Sequence, residues 1–492
     1  MAGMRALILI ALAGAVALAL TGPGLAAETR PGLKPCRLPG LEHDAWCGVL
    51  SRPLDPAQPG GTRIDVHYAV LPALARNRKP DPVLFFAGGP GQSAMELAGP
   101  VSRLLARLAY RRDVVLIDQR GTGRSAPLQC PEVPPAAPLA ETTDPARQLA
   151  RIKACLVQLQ ALPHGDLRHY TTPVAMQDAD AVRLALGAAQ LNVVGGSYGT
   201  RAALEYMRQF PAAVRRAVID GVAPPDMVMP AAMSTDAQRA LDLVLAACKA
   251  EPACQRRWPA LAADWQSLLA SLPRQVTVLH PLSGEPERLT ITRELLLGLV
   301  RAPLYAPALA AALPLAVSEA AQGRFGALLG LASAMGGRST ARLSEGLHYA
   351  VVCAEDLPLL AHATDAPGAD FGSEAAATYQ KVCAMGPRGA VPAAFYQLPA
   401  APAATLVLSG GADPVTPPRH GARVVQALGA KARHVVVPQA GHGVMGLACM
   451  RDVLFRFIDA PTDDEALKVD TSCADAMPRP GAFVPPGREA AP

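Results

Sequence analysis

The segment Gly195-Gly196-Ser197-Tyr198-Gly199 constrains this chain more than any other. It follows a compact apolar run, Leu191 to Val194, and precedes a stretch of helical spacing, Thr200 to Gln209. G-x-S-x-G between a strand and a helix presents its serine on a sharp turn whose backbone angles leave no room for large neighbours. A fold that holds it needs a strand ending where a helix begins, with the serine at the rim of a sheet. The plainer alternative is a Gly/Ser-rich turn without chemistry, and the rest of the chain decides between them.

Short β-branched runs punctuated by Gly and Pro recur through the first half. Arg63 to Val70 alternates like a half-exposed strand. Pro82 to Phe86, Asp113 to Ile117 and Ala217 to Ile219 join Leu191 to Val194 as apolar runs suited to strands buried on both faces. Thr172, Pro173 and Gly187 predict an N-cap, a first helical residue and a helix end. Such alternation predicts right-handed βαβ units and a mostly parallel sheet, an α/β class. After Pro224-Pro225, Ala and Leu recur at helical spacing, as in Ala260 to Leu272 and Glu294 to Val300. Strand signals return at Thr405 to Ser409 and His434 to Val437. The expected division is a signal peptide over 1–26, a core in two parts over 27–225 and 401–475, a mainly helical cap insertion over 226–400 and a loosely ordered tail over 476–492. A free-standing middle domain would leave the last two strands without a sheet.

Arg5 followed by the apolar run Ala6 to Leu20 and small residues at Gly24, Ala26 and Ala27 reads as a cleavable signal. Fifteen apolar residues fall short of the roughly 20 that a membrane span needs, so no stable membrane association is expected after cleavage. The expected location is secreted or periplasmic. Ten cysteines, an even count, fit five disulfides in an oxidising compartment. Sequence cannot choose their connectivity; pairing nearest neighbours is the simplest arrangement. No Cys-x-x-Cys or His-x-x-x-His spacing supports a metal site. A net charge of +5 without a basic run, and aromatics at only 4%, argue against nucleic acid as a partner.

A serine hydroxyl is a weak nucleophile near neutral pH and needs a base and an orienting acid. Where a serine sits on such an elbow, the acid and then the histidine follow it along the chain. Asp413 lies just beyond one late strand and His442 just beyond the other, both on loops at strand ends. Asp220, after Ala217 to Ile219, is the rival acid. Backbone amides for an oxyanion are expected from Tyr198 and from Gly89 in Gly88-Gly-Pro-Gly91. Gly121-Thr-Gly-Arg-Ser-Ala126 imitates a dinucleotide fingerprint, but Pro127, Pro131, Pro134 and Pro135 forbid the helix that would hold a pyrophosphate. No cofactor is expected.

Gly88-Gly-Pro-Gly91, Asp118-Gln-Arg-Gly-Thr-Gly-Arg-Ser125 and Gly195-Gly-Ser-Tyr-Gly-Thr200 together resemble the proline iminopeptidase and tripeptidyl aminopeptidase branch of the α/β-hydrolase superfamily. The segment from about Cys383 to Cys473 resembles the C-terminal region of the secreted tripeptidyl aminopeptidases. The resemblance implies the α/β-hydrolase fold with an inserted cap and a serine exopeptidase acting on free peptide N-termini. It also implies a cap-derived carboxylate for the substrate's ammonium, for which Glu355 and its neighbour Asp356 are the candidates. Where iminopeptidases begin the oxyanion motif with histidine, this chain has Ala87, which weakens the single-proline reading. An esterase or other small-molecule hydrolase using the same three groups is the second reading, and a non-catalytic binding protein the third. The expected partner is a peptide or small acyl substrate; no signal for oligomeric state is present.

Overall fold

The apolar runs become strands buried on both faces, and they line up in one nine-stranded sheet. The structure, a computed structural model, describes residues 30–336, 342–399 and 403–485. The expected signal peptide and the end of the tail lie outside the described residues. The strands are β1 (Lys34–Cys36), β2 (Ala45–Pro53), β3 (Arg63–Leu71), β4 (Val83–Phe86), β5 (Val114–Ile117), β6 (Leu191–Gly196), β7 (Val214–Asp220), β8 (Arg274–Leu279), β9 (Pro286–Ile291), β10 (Ala404–Gly410) and β11 (Ala432–Val437). Their order in the main sheet is β1-β2-β3-β5-β4-β6-β7-β10-β11. The pairs from β1 to β5 through β2 and β3 are antiparallel, and all pairs from β5 to β11 are parallel. This is the α/β-hydrolase fold.

Two apolar layers cover the sheet. One gathers Leu84, Val193 and Ile219 with Tyr206 and Val182; the other gathers Phe85, Val194 and Val218 with Leu454 and Phe457. Alternate residues of a single strand thus serve opposite layers, the period of two that a strand imposes.

β7 and β10 are neighbours in the sheet, yet the chain between them forms helices and the hairpin β8–β9. That stretch has its own core around Leu241, Trp265, Leu296, Val317 and Phe325. The hairpin is the exception within a stretch expected to be mainly helical: Arg274 to Leu279 alternates in burial, with Gln275, Thr277 and Leu279 exposed. The tail departs from expectation too. Ala482 donates its amide to Glu251, and Phe483 to the Ala311 carbonyl at 2.8 Å, which holds residues 476–485 against the insertion. Thr172 is displaced by one position from its expected place. Thr171 precedes the helix Thr172–Ala185, and Thr172 turns its amide and hydroxyl to Glu355 instead of capping.

The ten cysteines pair as nearest neighbours: Cys36–Cys47, Cys130–Cys155, Cys248–Cys254, Cys353–Cys383 and Cys449–Cys473. No helix among the described residues is long and apolar enough to cross a membrane.

Candidate active site

Four parallel strands, with β7 between the second and third of them, end at one edge of the sheet and deliver the candidate residues there. β4 leads into Gly88-Gly89, β6 into Ser197, β10 towards Asp413 and β11 towards His442. Open α/β sheets build their sites at this carboxyl edge.

Ser197 has φ 55° and ψ −126°, one of only two described non-glycine residues with positive φ. Such a conformation costs on the order of 1–3 kcal/mol and persists only where the surroundings enforce it. The flanking glycines make it possible by close approach. A β-carbon on Gly199 would lie 2.2 Å from the Phe86 carbonyl oxygen, and one on Gly195 would lie 2.3 Å from that of Gly199. The helix Tyr198–Gln209 is therefore driven hard against the end of β4. Tyr198, its first residue, has an amide with no intrahelical acceptor. The Gly88-Gly89 loop runs against the serine: a β-carbon on Gly88 would be 3.3 Å from Ser197 Cβ. Loop and elbow amides can thus converge on one oxyanion.

Asp413 and His442 are joined directly, Asp413 Oδ2 lying 2.8 Å from His442 Nδ1. The other carboxylate oxygen accepts the amides of Val415 and Thr416 at 2.8 and 2.9 Å. The Thr416 hydroxyl donates to Asp413 Oδ2 at 2.8 Å and lies 3.1 Å from His442 Nδ1. Tyr305 accepts the His442 amide on its carbonyl, and its ring meets the imidazole edge-on at 5.3 Å between centroids. Burial pulls the His442 pKa down, but the Asp413 charge and hydrogen bond, helped by Asp220, outweigh it and leave it above the usual histidine value. For Asp413, burial pushes up while His442 and the Thr416 and Val415 amides pull down, and the carboxylate ends below its usual value.

The rival acid, Asp220, is not bonded to His442. Its Oδ2 accepts the amides of Val444 and Met445, both at 2.7 Å, and its Oδ1 is buried without a hydrogen-bond partner. Ser197 donates its amide to the Asp220 carbonyl at 2.9 Å. A β-carbon on the next residue, Gly221, would be 3.2 Å from His442 Cε1. Asp220 and Gly221 therefore sit between the serine turn and the histidine loop. No hydrogen bond joins Ser197 Oγ to His442 among the described residues. Both side chains are half-buried at the same edge. Thr416, Tyr305 and the Asp220 clamp were not singled out in the sequence. Only the place of Thr416 in Asp413-Pro-Val-Thr416, an Asx-type turn, carried a signal.

Glu355 and Asp356 lie behind Tyr198, both fully buried. They are not unpaired, as a waiting ammonium site would have them. Arg201 bonds both Asp356 oxygens, at 2.9 and 3.1 Å, and reaches Glu355 Oε2 at 3.2 Å. Thr172 donates its amide and hydroxyl to Glu355 at 2.7 and 3.0 Å. A relay runs from Gln119 Nε2 to the Tyr198 hydroxyl to Thr172 Oγ1 to Glu355. It ties the Asp118 to Ser125 string to the serine turn. Two carboxylates share one guanidinium, and burial lifts Glu355 to about 7 against the pull of Arg201 and Thr172.

The Gly121 to Ala126 stretch forms a loop. Asp118 holds it, accepting the Ser93 hydroxyl at 2.6 Å and the Met95 and Arg124 amides. No group of three or more His, Cys, Asp or Glu among the described residues could hold a metal ion.

Residues 81–252 match the family described as alpha/beta hydrolase fold, and residues 368–473 match the family described as TAP-like protein. The first contains Gly89, Ser197 and Tyr198; the second contains Asp413 and His442. The chain is 34% identical to the tripeptidyl aminopeptidase of Streptomyces lividans over 194 residues, 36% of this chain and 35% of that one. It is 30% identical over 197 residues to the serine protease Hip1 of Mycobacterium tuberculosis strain H37Rv, 37% of this chain and 36% of that one. It is 27% identical over 169 residues to the proline iminopeptidase of Xanthomonas citri, 34% of this chain and 41% of that one. The chain thus spans 35–41% of the length of these curated relatives.

Proposed function

We propose that this chain, an α/β hydrolase in fold with a TAP-like C-terminal region, is a serine aminopeptidase that works in an oxidising compartment outside the cytoplasm. The observation that carries the reading is a serine held on a strained turn beside a bonded Asp413–His442 pair at one sheet edge. Ser197 Oγ attacks the peptide carbonyl, and its proton passes to His442 Nε2. Asp413 accepts the Nδ1–H bond, fixes the tautomer and stabilises the imidazolium. The Gly89 and Tyr198 amides receive the oxyanion. His442 then gives its proton to the departing amine, leaving an acyl-enzyme that water hydrolyses by the same path in reverse. No step needs a cofactor.

Relatives named as aminopeptidases and a protease support a peptide substrate. The free N-terminus enters through charge. The cluster around Arg201 carries two carboxylates against one cation, and Glu355, near 7, ionises more readily when an ammonium arrives. Since Glu355 and Asp356 are sealed from solvent, their contribution is a field at the acyl end more than a direct contact. Five disulfides support the compartment.

Chromogenic amides with free or acetylated N-termini, run beside simple esters with Ser197→Ala as the blank, test the proposal. Amide cleavage that requires the free amine is expected. Ester cleavage indifferent to acetylation, with no amide turnover, would replace the peptidase reading with that of an esterase.

A further inference from the structure

Arg301 borders a cavity that the proposed reaction leaves unused. The helices Met229–Ala250, Arg293–Leu304 and Glu374–Cys383 border a half-open cavity of about 190 Å³ whose lining includes Met233, Leu297, Gly298, Arg301, Phe371 and Ala375. That is roughly six times the volume share of one liquid water, room for a single amino-acid side chain. Gly298 sits within its helix although glycine is the poorest helix former after proline. A β-carbon there would meet nothing within 4 Å, so neither a turn nor a tight contact demands glycine. What its lack of a side chain provides is space.

The guanidinium beside this space is short of acceptors. Among the described residues the half-buried Arg301 makes one hydrogen bond, to the Tyr305 hydroxyl at 3.1 Å, with its guanidinium 5.9 Å from that ring's centre, and its Nε is buried without a partner. No ion pair engages it among the described residues. Glu294 and Glu374 also line the cavity, but both are exposed, and Glu294 is two helical turns from Arg301. A buried donor left unmade is costly, and an arginine fork is shaped for a carboxylate.

Its place assigns it a side of the reaction. Tyr305, one turn beyond Arg301, accepts the His442 amide and packs edge-on against the imidazole. His442 is the group that hands a proton to the departing amine, so what lies beside it faces the leaving group.

We propose that this cavity receives the residue on the leaving side of the scissile bond, with Arg301 pairing its carboxylate and the apolar wall taking its side chain. This rests on the serine aminopeptidase reading and narrows its substrates to short peptides. The carboxylate is either the end of the peptide or an acidic side chain.

The test uses unblocked peptides of two to five residues ending in Leu, each as the free acid and as the amide, with Glu-amide and Gln-amide endings as a third arm. Fluorophosphonate labelling of Ser197 and turnover of a p-nitroanilide check the hydrolase reading independently. The wild type is expected to favour the free acid by about tenfold or more in kcat/KM at one peptide length, the worth of a charged hydrogen bond. In Arg301→Met that ratio falls to near one, and Arg301→Lys restores part of it. Gly298→Leu lowers kcat/KM for Leu-ending peptides more than for Ala-ending ones. A Glu-amide preference over Gln-amide that vanishes in Arg301→Met assigns the carboxylate to a side chain. Labelling and p-nitroanilide turnover with flat acid-to-amide and Glu-to-Gln ratios overturn this proposal alone, as does a preference that survives Arg301→Met. Absence of both labelling and turnover overturns the hydrolase reading and this one with it.

Discussion

The backbone amide of Ser197 donates to the backbone carbonyl of Asp220 at 2.9 Å, and the carboxylate of that same Asp220 holds the histidine loop through Val444 and Met445. One residue thus sets the spacing between the Ser197 turn and the His442 loop without bonding to either side chain.

Asp220 carries a pH signature of its own. Burial raises its pKa to about 6, against 3.8 when exposed, despite the two amides and the His442 charge. Between those values the folded state holds a proton that the unfolded state has lost, so the Asp220 contribution to stability falls as pH rises. Asp220→Asn removes the charge and keeps an acceptor. Its melting temperature relative to wild type should climb from pH 4 to 6 and level off above; a difference independent of pH would contradict the assignment.

Activity should follow the ionisation of His442. The base must be neutral, and its pKa lies above the usual 6.5, so kcat/KM is lost as pH drops through a midpoint higher than that of a free histidine. Asp413→Asn should lower kcat on the order of 10⁴-fold by releasing the wrong tautomer. A pH–rate series on both proteins, with a midpoint that moves down in the variant, checks the direction.

Gly199→Ala places a methyl 2.2 Å from the Phe86 carbonyl oxygen, a backbone atom that cannot swing aside. Forcing β4 and the helix apart should cost about 1–3 kcal/mol in urea unfolding and displace Ser197. Gly298→Ala, with open space around the same atom, serves as the contrast and should leave stability unchanged or raised.

Arg201 holds two buried carboxylates, so Arg201→Met should destabilise the protein by about 3–5 kcal/mol. Glu355→Gln removes the surplus charge more gently. It should fold and lose most of the preference for free over acetylated N-termini; an unchanged preference would separate this cluster from amine recognition.

The parallel sheet was legible because its strands are buried on both faces, and buried strands read as unbroken apolar runs. Ser197, Asp413 and His442 were legible as candidates for a related reason: each lies within five residues of a strand's end, although β11, ahead of His442, is only partly buried. β1 and β2 were not, since Ala45 to Pro53 mixes Trp46, Ser51 and Arg52 at a half-exposed edge. The hairpin in the insertion mixes Arg274, Gln275 and Thr277 with Val276, Val278 and Leu279 and has the same weakness. The roles of Thr172 and Arg201 depend on which side chains meet across the fold. A Thr-Pro pair looks like a helix start whether its hydroxyl caps the helix or binds Glu355. The Asp118 to Ser125 string was conspicuous as a motif, but its work in bracing the serine turn through Gln119 and Tyr198 shows only in three dimensions.

Every disulfide joins a cysteine to the next one along the chain, with separations from 6 to 30 residues. Oxidation can therefore proceed vectorially as the polypeptide emerges, each thiol meeting its native partner before a competitor has been delivered. Reshuffling by an isomerase is not required to reach this pattern.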